Sequence, residues 1–163
     1  MRIDLVKKNI GAVLVMAVFG LAPVALAQDK PADNMQILRD KLKADKKLVV
    51  AMNMELTESE AKGFWPIYDQ YQKDLQKINQ RIANLLESYA DDYRGKSLTD
   101  EKAKKLIDEA TAIDQAEAGL KSAYAPKLSK ALPWIKVARY LQIENKIRAV
   151  VKYDIASGVP LVR

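Results

Sequence analysis

The sequence predicts an all-α fold, either an elongated antiparallel helical hairpin or a four-helix arrangement of long amphipathic helices. Three observations predict it. Beyond residue 27 the only glycines are Gly63, Gly95, Gly119 and Gly158. No stretch alternates apolar and polar residues for long enough to make a strand. Phe64, Tyr68, Tyr71, Leu75, Ile78, Ile82, Leu85 and Tyr89 recur at alternating steps of four and three residues, the spacing of a helix that packs lengthwise on another at a shallow angle.

The first 27 residues read as an address. Arg2, Lys7 and Lys8 form a positive start, Ile10 to Val18 an apolar core, and Ala25-Leu26-Ala27 a small-x-small cleavage site. This is the layout of a secretory signal peptide cut after Ala27, with an uncleaved N-terminal anchor as the alternative. Residues 28–33 follow as a loose leader, and 34–163 are expected to form one helical domain in the periplasm. Without residues 1–27, 24 of the 27 basic and 20 of the 21 acidic residues remain, so the basic excess is mild.

A first helix is expected from about Asn34 to Asn53, with Met35, Leu38, Leu42, Val49 and Met52 on one face and Asp45 interrupting it. Arg39, Lys41, Lys43, Lys46 and Lys47 crowd this segment, as a solvated basic face or as an anion-binding surface. The second helix opens at Leu56-Thr57-Glu58-Ser59-Glu60, where Thr57 is a good N-cap and Glu60 can reach back to its amide, a capping box. Running to about Tyr93, it would be on the order of 50 Å long at 1.5 Å per residue. Pro66 lacks an amide hydrogen, which predicts a kink or a broken first segment near Ala61 to Trp65.

Asp91 to Ser97 is the expected turn, punctuated by Gly95. Leu98 and Thr99 then open the third helix, with Thr99 as N-cap and Asp100 and Glu101 favourably placed against the helix dipole. Its apolar face (Ala103, Leu106, Ala110, Ile113, Ala116, Leu120, Tyr124) is thin, so it can lie close against the bulkier second helix, and Pro126 should end or bend it. The fourth helix should start at Pro133 and end near Ile155, with Trp134, Val137, Leu141, Ile147, Val150 and Val151 as its buried stripe. Glu144 interrupts that stripe, as expected of a half-buried ion-pair partner. Trp65, Tyr68 and Trp134 stand at helical spacing and read as core rather than as a ligand box.

Composition limits the chemistry. The chain has no Cys and no His, which excludes zinc fingers, Cys- or Ser-His nucleophiles, disulfides and the His pairs of di-iron bundles. Hydrophobic residues make up 49% and charged residues 29%, too apolar a balance for disorder. No catalytic residue, cofactor or metal ligand is expected. Glycan cleavage by paired carboxylates would need two acids facing each other in a cleft, and Glu58, Asp91 and Asp92 give no such pair. The mild basic excess is no concentrated reading head for nucleic acid.

A signal peptide, an all-helical mature domain and a Leu-Thr-x-x-Glu helix opening before a long amphipathic helix together resemble the Spy/CpxP family of periplasmic proteins, whose hallmark is a repeated LTxxQ motif. Leu56, Thr57 and Glu60 follow the motif with Glu in place of Gln, while the second copy keeps only Leu98 and Thr99. The resemblance implies a non-catalytic chaperone or envelope-stress adaptor that binds partly folded proteins through a basic, partly apolar surface, with a homodimer as its form. Here that surface would comprise Arg39, Lys43, Lys46, Lys47, Met52 and Met54, methionine being adaptable to varied partners. An assembly module whose seams hold copies together is the alternative, and contact of the first helix with a membrane surface a further one.

Overall fold

A computed structural model describes residues 45–162. The leader, Arg39, Lys43 and residues 34–44 of the expected first helix lie outside the described residues. Within them the chain forms four helices and no strand: α1 (Lys46–Met54), α2 (Glu58–Gly95), α3 (Asp100–Leu128) and α4 (Trp134–Gly158).

The first helix does not run unbroken from Asn34 to Asn53. Asp45 has extended backbone angles and its carboxylate accepts a hydrogen bond from the Leu48 amide at 3.1 Å, so the residue that interrupts the apolar face is the N-cap that starts α1. α2 begins at the expected box. Thr57 Oγ1 accepts from the Glu60 amide at 3.3 Å, and Glu60 Oε2 accepts from the Thr57 amide at 2.8 Å. It continues through Pro66 without a break, and its packed face explains why: Phe64, Tyr68 and Tyr71 are all buried around that position. α3 likewise runs on past Pro126 to the fully buried Leu128.

The turn between α2 and α3 is shorter than the expected Asp91 to Ser97: Asp91 to Gly95 stay helical, and Lys96, not Gly95, takes the left-handed conformation with φ 51°. The Ser97 amide bonds the Asp92 carbonyl at 3.0 Å and the Lys96 amide bonds the Tyr93 carbonyl at 3.4 Å, a Schellman closure. The Asp92 carboxylate then fastens the turn by accepting from Ser97 Oγ at 2.9 Å and from Lys102 Nζ at 2.5 Å. The Lys102 ammonium holds the Asp92 carboxyl below its ordinary pKa.

Cross-helix contacts give the topology. Arg81 pairs with Glu109 and Tyr124 with Asp74, so α3 runs antiparallel to α2. Lys121 reaches Asn145 and Lys152 reaches Asp114, so α4 runs antiparallel to α3 and parallel to α2. α1 lies across the first half of α2 and α4, making four helices at one end of the bundle and three at the other. The four-helix end encloses Val50, Met54, Phe64, Tyr68, Tyr71, Leu128, Val137 and Tyr140, while the three-helix end is filled by Ile78, Ile82 and Ile113. The Ala-rich α3 approaches α2 closely; α4 is spaced from α2 by rings, with Tyr140 edge-on to Phe64 at 5.1 Å and to Tyr71 at 5.8 Å between centroids.

Two expectations for α4 change. Pro133 is its N-cap rather than its first helical residue. Trp134 is 62% exposed, because Leu132 in the preceding turn closes the core at that level and the buried stripe starts at Val137. Tyr140, fully buried, is the central residue of that stripe.

Candidate functional site

The expected partner-binding residues within the described chain are all on α1, and the helix sends them in different directions. Nine residues make 2.5 turns, so positions one or two apart face apart. Val49, Val50 and Met54 are buried. Met54, expected on the partner surface, is withdrawn from it: at 0% exposure it is part of the core between α2 and α4. Met52, two residues earlier, is 63% exposed, and Leu48, one turn before it on the same face, is 56% exposed. α1 is thus apolar on its outer face as well as its inner one.

Lys46 is a structural cation. Its ammonium donates to Glu144 Oε2 and to Gln72 Oε1, both at 2.8 Å. Glu144 is 4% exposed and also accepts from Gln72 Nε2 at 2.9 Å, the buried ion-pair role expected of it. Burial first, and this nearby carboxylate second, push the Tyr140, Tyr68 and Tyr71 hydroxyls up, so they stay protonated. Lys47 is exposed, bonds Asp69 at 2.7 Å and lies 5.0 Å from the centroid of the Trp65 ring, a cation–π contact.

One turn along α4 from Glu144, a second buried polar layer joins three helices. Arg148 donates to Asn79 on α2 at 2.8 Å and pairs with the buried Glu117 of α3, which Lys152 also reaches at 3.0 Å. Burial lowers the Arg148 pKa, and its Nε hydrogen is left without a partner among the described residues. The sequence shows Glu117 only as one more charge on a helix; its place at the i+4 step after Ile113 is the signal that it faces inward.

Each of the two buried carboxylates, Glu117 and Glu144, is thus tied to a cation. Among the described residues no group of three or more acids could hold a metal ion.

Among the described residues a groove of about 300 Å³ opens to solvent between α1 and α4. Met52, Asn53 and Glu55 line it from α1 and the residue that ends it, and Arg139, Gln142, Ile143 and Lys146 line it from α4. Arg139 is 3.3 Å from the Glu55 carboxylate; the exposed Lys146 has no acid partner among the described residues. Reading the sequence alone leaves Arg139, Gln142 and Lys146 unassigned, although their steps of three and four place them on one face of α4. The groove can therefore offer cations and a flexible thioether to a partner.

The helix-opening residues are built into the scaffold. Leu56 packs against the core, Thr57 caps α2, and Glu60 adds to its cap a 2.6 Å bond from Lys136 of α4, which holds its carboxyl below the ordinary pKa. Leu98 is half-buried, and Thr99 caps α3 by accepting from the Lys102 amide at 3.3 Å. No protein-family model matches the chain, and no curated protein or solved structure is significantly similar to it.

Proposed function

We propose that this chain is an exported, non-catalytic binding protein of the chaperone or adaptor type, which takes partly folded or partner proteins onto the α1–α4 face. The observation that carries the reading is the outward pair Leu48 and Met52, 56% and 63% exposed, beside a groove rimmed by Arg139 and Lys146. A helix that is apolar on both faces ordinarily has neighbours on both sides, and methionine adapts to differing ligands.

The assembly reading draws less support. Of the seam from Phe64 to Tyr89, the part up to Ile82 is buried within a single chain and Leu85 and Tyr89 are half-buried, so self-association would draw mainly on another surface.

The experiment is suppression of aggregation of a chemically denatured client at near-stoichiometric ratios, together with photo-crosslinking from a probe at position 52. Suppression with clients captured at that position supports the reading. Failure of both, with the protein folded, overturns it.

A further inference from the structure

A second exposed apolar feature lies at the end of the bundle and has no part in the α1–α4 groove. The turn from α3 into α4 ends at Pro133, and the next two residues, Trp134 and Ile135, are 62% and 79% exposed. The first turn of α4 holds no acidic side chain. Lysines surround the tip. Lys127 and Lys130 flank the turn and are exposed, and Lys62 is brought beside it by α2, where a Cβ on its neighbour Gly63 would lie 2.9 Å from the Ala131 Cβ. None of these three has an acid partner among the described residues.

The acids at this end are mostly neutralised: Glu60 by Lys136 at 2.6 Å and Glu55 by Arg139 at 3.3 Å, leaving Glu58 as the one unpaired acid there among the described residues. The local balance is positive.

We infer that this tip is an anionic-lipid docking point: Trp134 and Ile135 enter the interfacial layer of a membrane while Lys62, Lys127 and Lys130 contact anionic headgroups. The pairing follows from physical chemistry. Tryptophan prefers the membrane interface, where one part of its ring is apolar and the indole N–H stays wet. Lysine extends its charge to the headgroups from an apolar stem, and each basic residue near an anionic surface strengthens adsorption several-fold. One Trp–Ile pair is too small an anchor to hold alone, which makes the attachment reversible and dependent on lipid charge. The inference is independent of the proposed groove, since no residue is shared.

The test uses the full chain in a Trp65→Phe background, leaving Trp134 as the sole tryptophan. It is mixed with vesicles of phosphatidylcholine alone or with phosphatidylglycerol added, some carrying brominated tails. The expected result is a blue shift and quenching of Trp134 with the anionic vesicles, little response to phosphatidylcholine, and partition weakened about fivefold for each of Lys127→Gln and Lys130→Gln. Flotation of Ile135→Ser, which retains both tryptophans, gives the same readout if the Trp65 change harms folding; its binding should fall.

An unmoved Trp134 spectrum overturns the proposal even if the chain floats with vesicles, because adsorption then occurs elsewhere. An equal response to neutral vesicles overturns it too, since charge would not be selecting the surface. So does a Trp134 shift that requires a protein partner and is absent with lipid.

Discussion

The Lys46 ammonium lies 2.8 Å from Glu144 Oε2, joining residues 98 apart in sequence and fastening the first turn of α1 to the middle of α4. The carboxylate is almost wholly buried, whereas the lysine side chain keeps 26% of its exposure. Lys46→Ala would leave Glu144 buried with only Gln72 and Tyr140 beside it. The expected loss in urea unfolding is about 3 kcal/mol, at the low end for breaking a buried pair because water can reach the vacated side. The double change Lys46→Met with Glu144→Leu should recover most of that loss, since apolar replacement of both partners removes the desolvation cost. A double mutant as unstable as the single would show that the attraction outweighs that cost.

The same helix separates a packing methionine from a surface one. Met54→Ala should destabilise by about 2 to 4 kcal/mol, as truncations in a closed core do. Met52→Ser should stay within about 0.5 kcal/mol of the parent while weakening client capture, so the two changes part stability from binding. If Met52→Ser leaves capture intact, the groove is not where clients bind.

How far these roles were legible depends on how many sides of a helix are used. α2 buries one continuous face, so Phe64 to Ile82 could be placed from spacing alone. α4 is apolar in two directions, with Val137, Tyr140, Ile147 and Val150 inward and Trp134 and Ile135 outward, and periodicity cannot rank two competing stripes. Spacing does place Val137, Ile147, Val150 and the paired Glu144 in the inward stripe, but it passes over the fully buried Tyr140 in favour of Leu141. α1 was harder still, because at nine residues its phase is fixed by the Asp45 cap and the Lys46 pair, and the second of these depends on a residue far along the chain. The groove face of Arg139, Gln142 and Lys146 acquires meaning only when α1 lies beside it.

Thr57→Ala should cost about 1 kcal/mol, the usual value of an N-cap. The Glu60 carboxylate bonds both the Thr57 amide and Lys136, so Glu60→Gln keeps the reach of the box but loses the ion pair to α4. The measurable consequence is greater salt dependence of stability in the parent than in Glu60→Gln. Should Thr57→Ala abolish client binding while stability barely moves, the motif is a recognition element in addition to a cap.

Asp74 should be among the last carboxylates to take up a proton as pH falls. Hydrogen bonds from Lys77, foremost, and from Tyr124 at 2.6 Å lower its pKa from 3.8 to about 2, while burial, then the Asp74 carboxylate, raises Tyr124 to about 12. A carboxyl with a lower pKa folded than unfolded stabilises above the unfolded value, and that contribution fades as pH falls from about 4 toward 2. Asp74→Asn should flatten stability across that window and leave the slope near neutrality unchanged. An unaltered slope between pH 4 and 2 would mean that the Lys77 and Tyr124 bonds together do not favour the charged acid over the neutral one.

Of the described glycines Gly63 makes the closest approach to another part of the chain: a Cβ there would come 2.9 Å from the Cβ of Ala131 in the α3–α4 turn. Two effects oppose each other in Gly63→Ala: helix propensity favours alanine by about 1 kcal/mol, and overpacking costs about 1 to 3 kcal/mol. Both atoms of the clash are anchored directly to backbone, so no side chain can rotate away and the helix or the turn must move. The net expectation is destabilisation by roughly 1 kcal/mol. Gly119 provides the comparison, since a Cβ there meets nothing within 4 Å, and Gly119→Ala should stabilise by about 0.5 to 1 kcal/mol. Ala131→Gly placed in the Gly63→Ala background removes the clash, and urea unfolding should show the pair more stable than the sum of the single changes. If Gly63→Ala instead stabilises as much as Gly119→Ala does, the α3–α4 turn yields at no cost and the close approach is not fixed by packing.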